Sequence, residues 1–176
     1  MVPMKTRADF PFILNQYGLH GKYVEVGVER GAFSRIFVEM LQNKLIEHLY
    51  LIDPWRADMF CCPIAQVAMD AMQYEVEEIF KDLPVTIMKT TSVEGAAQFG
   101  FNSLDFVYLD AKHDFDSILQ DFDTWYPRVK KGGIIGGHDY SISGVKQVVD
   151  FKATGLKAGV VLASEEPAVS WYMHKG

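Results

Sequence analysis

Between positions 25 and 31 the chain reads Glu25-Val26-Gly27-Val28-Glu29-Arg30-Gly31, two glycines four apart with a carboxylate ahead of the first and another between them. Glycines placed directly after an apolar run let the backbone turn tightly and approach a ligand closely. A dinucleotide fingerprint of the form Gly-x-Gly-x-x-Gly starting at Gly27 would require glycine where Glu29 and Ala32 stand. Its second glycine exists so that backbone can touch pyrophosphate, and a carboxylate there adds bulk and like charge. With Glu25 close by, the turn disfavours a diphosphate and suits a cationic ligand. Glu25 can accept a hydrogen bond from an ammonium group, and the free N–H groups of a helix starting after Gly31 can hold a carboxylate. An amino acid carries both groups. Asp53 ends a second apolar run 26 residues beyond Gly27, the place from which an acid reaches the hydroxyls of a ribose. Amino acid plus ribose points to S-adenosylmethionine. Taken singly, each piece has a plainer reading: Gly27 and Gly31 as ordinary turn glycines, Asp53 as a cap before Pro54.

The elements that must position these residues follow from the apolar pattern. Runs bounded by turn residues fall at 23–26, 49–53, 85–89, 104–110, 133–138, 159–163 and 169–174, and predict seven strands. Segments of helical period lie between them, which is the pattern of a doubly wound α/β sheet. Phe33, Ile36, Phe37, Met40 and Leu41 mark one helix face; Ile64, Val67, Ala68, Ala71, Val76, Ile79 and Phe80 mark the next. Phe115, Ile118, Leu119, Phe122, Trp125, Tyr126 and Val129 recur at three and four, with Asp116, Asp121 and Asp123 expected to face water. Ser164-Glu165-Glu166-Pro167-Ala168 is too short for a right-handed crossover, so the last two strands must form a hairpin, and one strand runs antiparallel. Residues 1–22 precede the first strand and are expected to fold over the site.

At 176 residues the chain suits a single domain spanning 1–176, and 49% apolar with 23% charged residues is an ordinary globular composition. A net charge of -6 disfavours nucleic acid and anionic membrane surfaces, which select for Lys/Arg patches. No apolar run approaches the ~18 residues of a membrane span, and the N-terminus lacks a signal-peptide pattern, so the expected location is the cytoplasm. Cys61 and Cys62 are adjacent, have no metal-ligand spacing and read as small side chains in a loop of a protein in a reduced compartment. Oligomerisation is left open.

These residues resemble the class I S-adenosylmethionine-dependent methyltransferases, within them the small-domain group labelled methyltransferase family 24. Val24-Glu25-Val26-Gly27-Val28-Glu29-Arg30-Gly31 is similar to its first motif, Leu51-Ile52-Asp53-Pro54-Trp55 to its second and Thr91-Ser92-Val93-Glu94-Gly95-Ala96 to its adenine-side segment. The stretches from Leu104 through Asp110 to His113, and from Val129 to His138, Asp139 and Tyr140, resemble its fourth- and fifth-strand motifs, so the likeness covers residues 23–151. The resemblance implies a Rossmann-like sheet of order 3-2-1-4-5-7-6 with strand 7 antiparallel, and cofactor contacts at Glu25, Gly27, Gly31, Asp53, Ser92 and Asp110.

In that strand order Asp110, His113, His138 and Asp139 converge where a methyl group would emerge. Methyl transfer is an in-line displacement that needs alignment and, for a hydroxyl acceptor, a base. His113 is the first choice as base and His138 the second, with Asp139 beside them; the plainer readings are a helix cap for His113 and a satisfied partner of Asp139 for His138. A divalent ion such as Mg²⁺ on Asp110, His138 and Asp139 is a further expectation. Similar sugar O-methyltransferases carry paired aspartates where this chain has His138-Asp139, and a second aspartate where it has Lys112, which weakens that expectation. No Asn/Asp-Pro-Pro-aromatic segment follows the fourth strand, as amino-group methylation would require. The acceptor expected is a small hydroxylated or sugar-like metabolite. A cofactor-binding or assembly module without chemistry is the alternative, motivated by the short connection 141–143; a nicotinamide dehydrogenase ranks third, disfavoured by Glu29.

Overall fold

The computed structural model describes residues 1–60 and 62–176, so Cys61 lies outside the described residues. Seven strands form one sheet: β1 Lys22–Val26, β2 His48–Asp53, β3 Val85–Lys89, β4 Leu104–Leu109, β5 Val129–Gly137, β6 Val160–Leu162 and β7 Trp171–His174. Their order is 3-2-1-4-5-7-6. β1 pairs in parallel with β2 and β4, β2 with β3 and β4 with β5, whereas β7 runs antiparallel to both β5 and β6. The hairpin required by the short 164–168 connection is therefore present. β5 starts four residues earlier than its apolar run suggested. The reason is a register shift: Leu104 pairs with Val129 but Phe106 with Ile134, and Gly132, at φ +80°, takes up the extra length.

Helices cover both faces, as βαβ crossovers demand. They are α1 Phe10–Gln16, α2 Val38–Gln42, α3 Gln66–Phe80, α4 Ser92–Ala96, α5 Phe115–Trp125 and α6 Ser143–Leu156. Strand alternation assigns each side chain its face. Tyr23 on β1, Leu49 and Leu51 on β2, and Phe106 and Tyr108 on β4 join α1, α2 and α3 in one core. Val24, Val26, Ile52, Val107 and Leu109 join α5 and α6 in the other. By the same alternation Glu25 and Asp53 project on the first face. That core is rich in aromatic contacts; Phe33 stacks on Tyr108 with ring centroids 3.6 Å apart.

Three expectations need correction. The helix after Gly31 is a short 3-10 turn, Ser34–Phe37, followed by only five α-helical residues in α2. Ser34 is buried and donates to Glu25, which draws the chain into a tighter winding. On α3 the buried residues are Met69, Met72, Val76 and Phe80, spaced three, four and four, while Val67 is exposed and Ile64 precedes the helix. On α5, Asp121 is buried, 6% exposed, and does not face water.

The N-terminal segment does fold back across the molecule. Met4 bridges to Ala163 in parallel, Ser164 and Glu165 donate their N–H groups to the carbonyls of Met4 and Lys5, and α1 buries Phe10, Ile13 and Leu14. Among the described residues no helix is long and apolar enough to cross a membrane.

Candidate active site

The sheet order reverses between β1 and β4, and a cavity of about 880 Å³ opens beyond the carboxyl ends of the strands there. Its floor is the turn after β1. Gly27 sits at φ +86°, and a Cβ added to it would lie 2.1 Å from the carbonyl oxygen of Asp110. Only glycine lets the ends of β1 and β4 come this close. Gly31, at φ +72°, instead faces Val76 on α3 and does not line the cavity.

Asp53 lines the cavity and also ties the turn to β2. Its Oδ2 accepts from the N–H groups of Val28 and Glu29 at 2.9 and 3.0 Å, and its Oδ1 from Trp55 N–H at 2.7 Å. Glu29 itself has φ +51° and Trp55 φ +41°. A left-handed backbone costs a non-glycine residue roughly 1–2 kcal/mol. The cost is borne by mutual locking: Asp53 holds the Glu29 N–H, while Trp55 Nε1 donates to the Glu29 carbonyl at 2.9 Å. A carboxylate thus stands in the place where a dinucleotide turn needs glycine.

Glu25 is 2% exposed, lines the cavity and accepts a hydrogen bond from Ser34 Oγ. Burial pushes its carboxyl well above the usual range; Ser34 opposes this, Asp110 and Asp53 add to it, and Arg7 also opposes it. Arg7 reaches the same cavity from the N-terminal segment, where its N–H and guanidinium both meet Glu166. No motif marks Arg7 in the sequence; its placement depends on the 1–9 segment docking on the β6–β7 turn.

At the mouth of the cavity, Asp110 from β4, His113 before α5, and His138 and Asp139 after β5 meet as expected. His113 Nε2 lies 3.1 Å from Asp139 Oδ2 and 3.6 Å from Asp110 Oδ1. His138 Nδ1 lies 3.4 Å from Asp139 Oδ2 and 3.7 Å from Asp110 Oδ1. Among the described residues the Nε2 atoms of both histidines are buried without a well-formed hydrogen bond, His113 Nε2 facing the carboxylates at ion-pair distance. Asp110 first and Asp139 next favour the imidazolium of His113 and raise its pKa against the effect of burial. The group whose ligand atoms come within 4.8 Å of one another is Asp110, His113 and Asp139, so His113 takes the place given to His138 in the expected ion site. His113 does not cap α5: the side chain of Asp114 does so by accepting from Ser117 N–H. Asp139 has φ +56°, a third left-handed non-glycine after Glu29 and Trp55.

Ser92 also lines the cavity, at the start of α4 behind the Thr91 cap. Its hydroxyl is committed to the protein: it donates to Asp121 Oδ1 at 2.5 Å and accepts from Trp125 Nε1 at 2.9 Å. Asp121 therefore joins the site, with its pKa pushed up to about 6 by burial. Sequence periodicity missed it because Asp121 sits at the edge of the apolar stripe on α5, beside Phe122.

The residues present fit an adenosyl amino acid: a glycine cradle, a buried acid for an ammonium group and an acid at the end of β2. Comparison with known proteins agrees. A family model described as a methyltransferase domain matches residues 24–140. An uncharacterized protein, R132, of Acanthamoeba polyphaga mimivirus is 30% identical over 123 residues, covering 67% of this chain and 51% of that protein. The chain thus spans about half the length of this curated relative. Among solved structures, the O-methyltransferase NovP superposes with a TM-score of 0.69 at 18% identity, over 96% of this chain and 77% of that one. An O-methyltransferase from Bacillus cereus in complex with S-adenosylhomocysteine (SAH) superposes with a TM-score of 0.69 at 10% identity, over 97% and 80%. At such identities the two structures speak for the fold, and the match to the family model carries the rest. The chain belongs to the class I S-adenosylmethionine-dependent methyltransferases, in the group of methyltransferase family 24.

Proposed function

We propose that this methyltransferase acts on a hydroxyl group of a small hydroxylated or sugar-like metabolite, with His113 as the base. The observation that carries this reading is the meeting of two histidines with two carboxylates in the wall of the cavity, where His113 Nε2 and His138 Nδ1 lie 3.1 and 3.4 Å from Asp139 Oδ2. When bound, S-adenosylmethionine supplies an electrophilic methyl group on a sulfonium. Glu25 binds its ammonium group, Asp53 its ribose, and Asp110 lies between the cofactor and acceptor ends. The ring of His113 takes up the hydroxyl proton, and Asp139 and Asp110, which face its Nε2 at 3.1 and 3.6 Å, stabilise the imidazolium that results. His138, second to His113 as the base, orients the acceptor. The O-methyltransferase structures of the same fold support an oxygen acceptor.

A divalent ion on Asp110, Asp139 and His113 or His138 is the finer alternative. The raised His113 pKa argues for the proton instead, because a protonated imidazole already offsets the charge of the two carboxylates. Turnover measured as SAH release across a panel of sugars, catechols and amines tests the proposal. It predicts release with hydroxyl acceptors only, at least ~100-fold less for His113→Ala, and no loss on treatment with EDTA. Binding of the cofactor without turnover on any acceptor, and no effect of His113→Ala, would favour a non-catalytic binding or assembly module.

A further inference from the structure

We propose that Asp121 selects the base of the cofactor, its second carboxylate oxygen accepting a hydrogen bond from the 6-amino group of adenine. This rests on the cofactor reading above. If Asp53 holds the ribose at the end of β2, the base must extend outward toward β3, where Thr91, Ser92 and Val93 line the cavity. The apolar Ile52 and Ala111 line the same cavity, as does Asp121.

Asp121 is an unusual residue to bury. It is 6% exposed, and its one hydrogen bond is to a neutral hydroxyl, Ser92 Oγ on Oδ1. No hydrogen bond reaches Oδ2 among the described residues, and this atom is not one of those sealed without a partner. An oxygen in that condition in the wall of a cavity is open to a ligand. Holding Ser92 and Trp125 in place needs only an acceptor, for which an asparagine would serve at lower desolvation cost. Burial lifts the Asp121 carboxyl only to about 6, so it is ionised at neutral pH and acts purely as an acceptor. A purine with an amino group at position 6 satisfies it. A purine with a carbonyl there sets oxygen against oxygen and is rejected, which is the kind of discrimination that buried polar groups achieve best.

The test is titration of the full chain with SAH and with S-inosylhomocysteine, which differs only in carrying a 6-oxo group and N1–H. Wild type should bind SAH at least ~10-fold more tightly, as expected for one hydrogen bond to a charged group. Asp121→Asn keeps an acceptor for Ser92 and turns an amide donor toward the cavity, so the preference should fall to about one or reverse, chiefly through tighter binding of the 6-oxo ligand. Asp121→Ala is the second variant and should also lose the preference. A merely structural Asp121 would lower both affinities together; an unchanged ratio in Asp121→Asn overturns the assignment while leaving the cofactor reading intact. Failure of wild type to bind either ligand overturns both.

Discussion

At the level of single residues the site is organised by carboxyl groups with different fates. Glu25 is buried, and burial pushes its carboxyl well above the usual range and so favours its neutral form. Pairing with an ammonium group favours its ionised form, so SAH binding should be accompanied by proton release from Glu25. Calorimetry in buffers of different ionisation enthalpy reads this directly, and Glu25→Gln should abolish the buffer dependence. His113 moves the other way in charge: its raised pKa means that more of it is imidazolium at neutral pH. A base must be neutral to accept a proton, so the rate should rise with pH through a value above the ordinary ~6.5 of histidine. Asp139→Asn should move that limb to lower pH. For stability the sign is fixed by linkage: the contribution of His113 is full below the unfolded-state pKa and is lost as pH rises through the higher folded value. Glu25, Asp53 and the Asp110/His113/His138/Asp139 group were legible in the sequence because residue type and position after apolar runs announce them. Asp121 and Arg7 were not, since periodicity assigned the first to solvent and the second lies in a segment that has no pattern of its own.

At the level of elements, the turn after β1 is where geometry is tightest, and its two glycines are not equivalent. An added Cβ at Gly27 overlaps the backbone of Asp110, whereas at Gly31 its nearest neighbour, Val76, is at an ordinary 3.4 Å. Gly31→Ala should cost roughly 1–2 kcal/mol, the price of the left-handed backbone alone. Gly27→Ala must in addition part β1 from β4, so urea denaturation should show a larger loss, and SAH binding should fail even where the variant folds. The strands themselves were read correctly from apolar runs, and the β6–β7 hairpin from loop length, because both follow from rules that do not depend on tertiary detail. Helix faces were less legible. On α3 the methionines Met69 and Met72 pack inward while Val67 and Ala71 do not, a choice made by the shape of the facing sheet and not by hydrophobicity. The winding after Gly31 was likewise decided by a tertiary contact, the hydrogen bond from Ser34 to Glu25.

At the level of the whole molecule, one cavity where the strand order reverses is lined by residues from β1, β2, the segment after β3 and the ends of β4 and β5, and the proposed reading divides them into a cofactor side and an acceptor side. The N-terminal segment docks on the β6–β7 turn through Met4, Lys5 and Arg7, and this brings Arg7 to the cavity. That docking is a property of the folded whole that no local pattern announces. The turn at Glu25 and Gly27 points to the donor; the acceptor is left to the shape of the cavity and to the histidine and carboxylate group that lines it. The central claim is that this cavity takes an adenosyl amino acid through Glu25 and Asp53, and calorimetric titration with SAH tests it most directly. Saturable one-to-one binding, with a Kd in the micromolar range or below and weakened at least ~10-fold by Glu25→Gln in a variant that remains folded, is the predicted result. No binding by the folded wild-type protein, or affinity unaffected by Glu25→Gln, would contradict it.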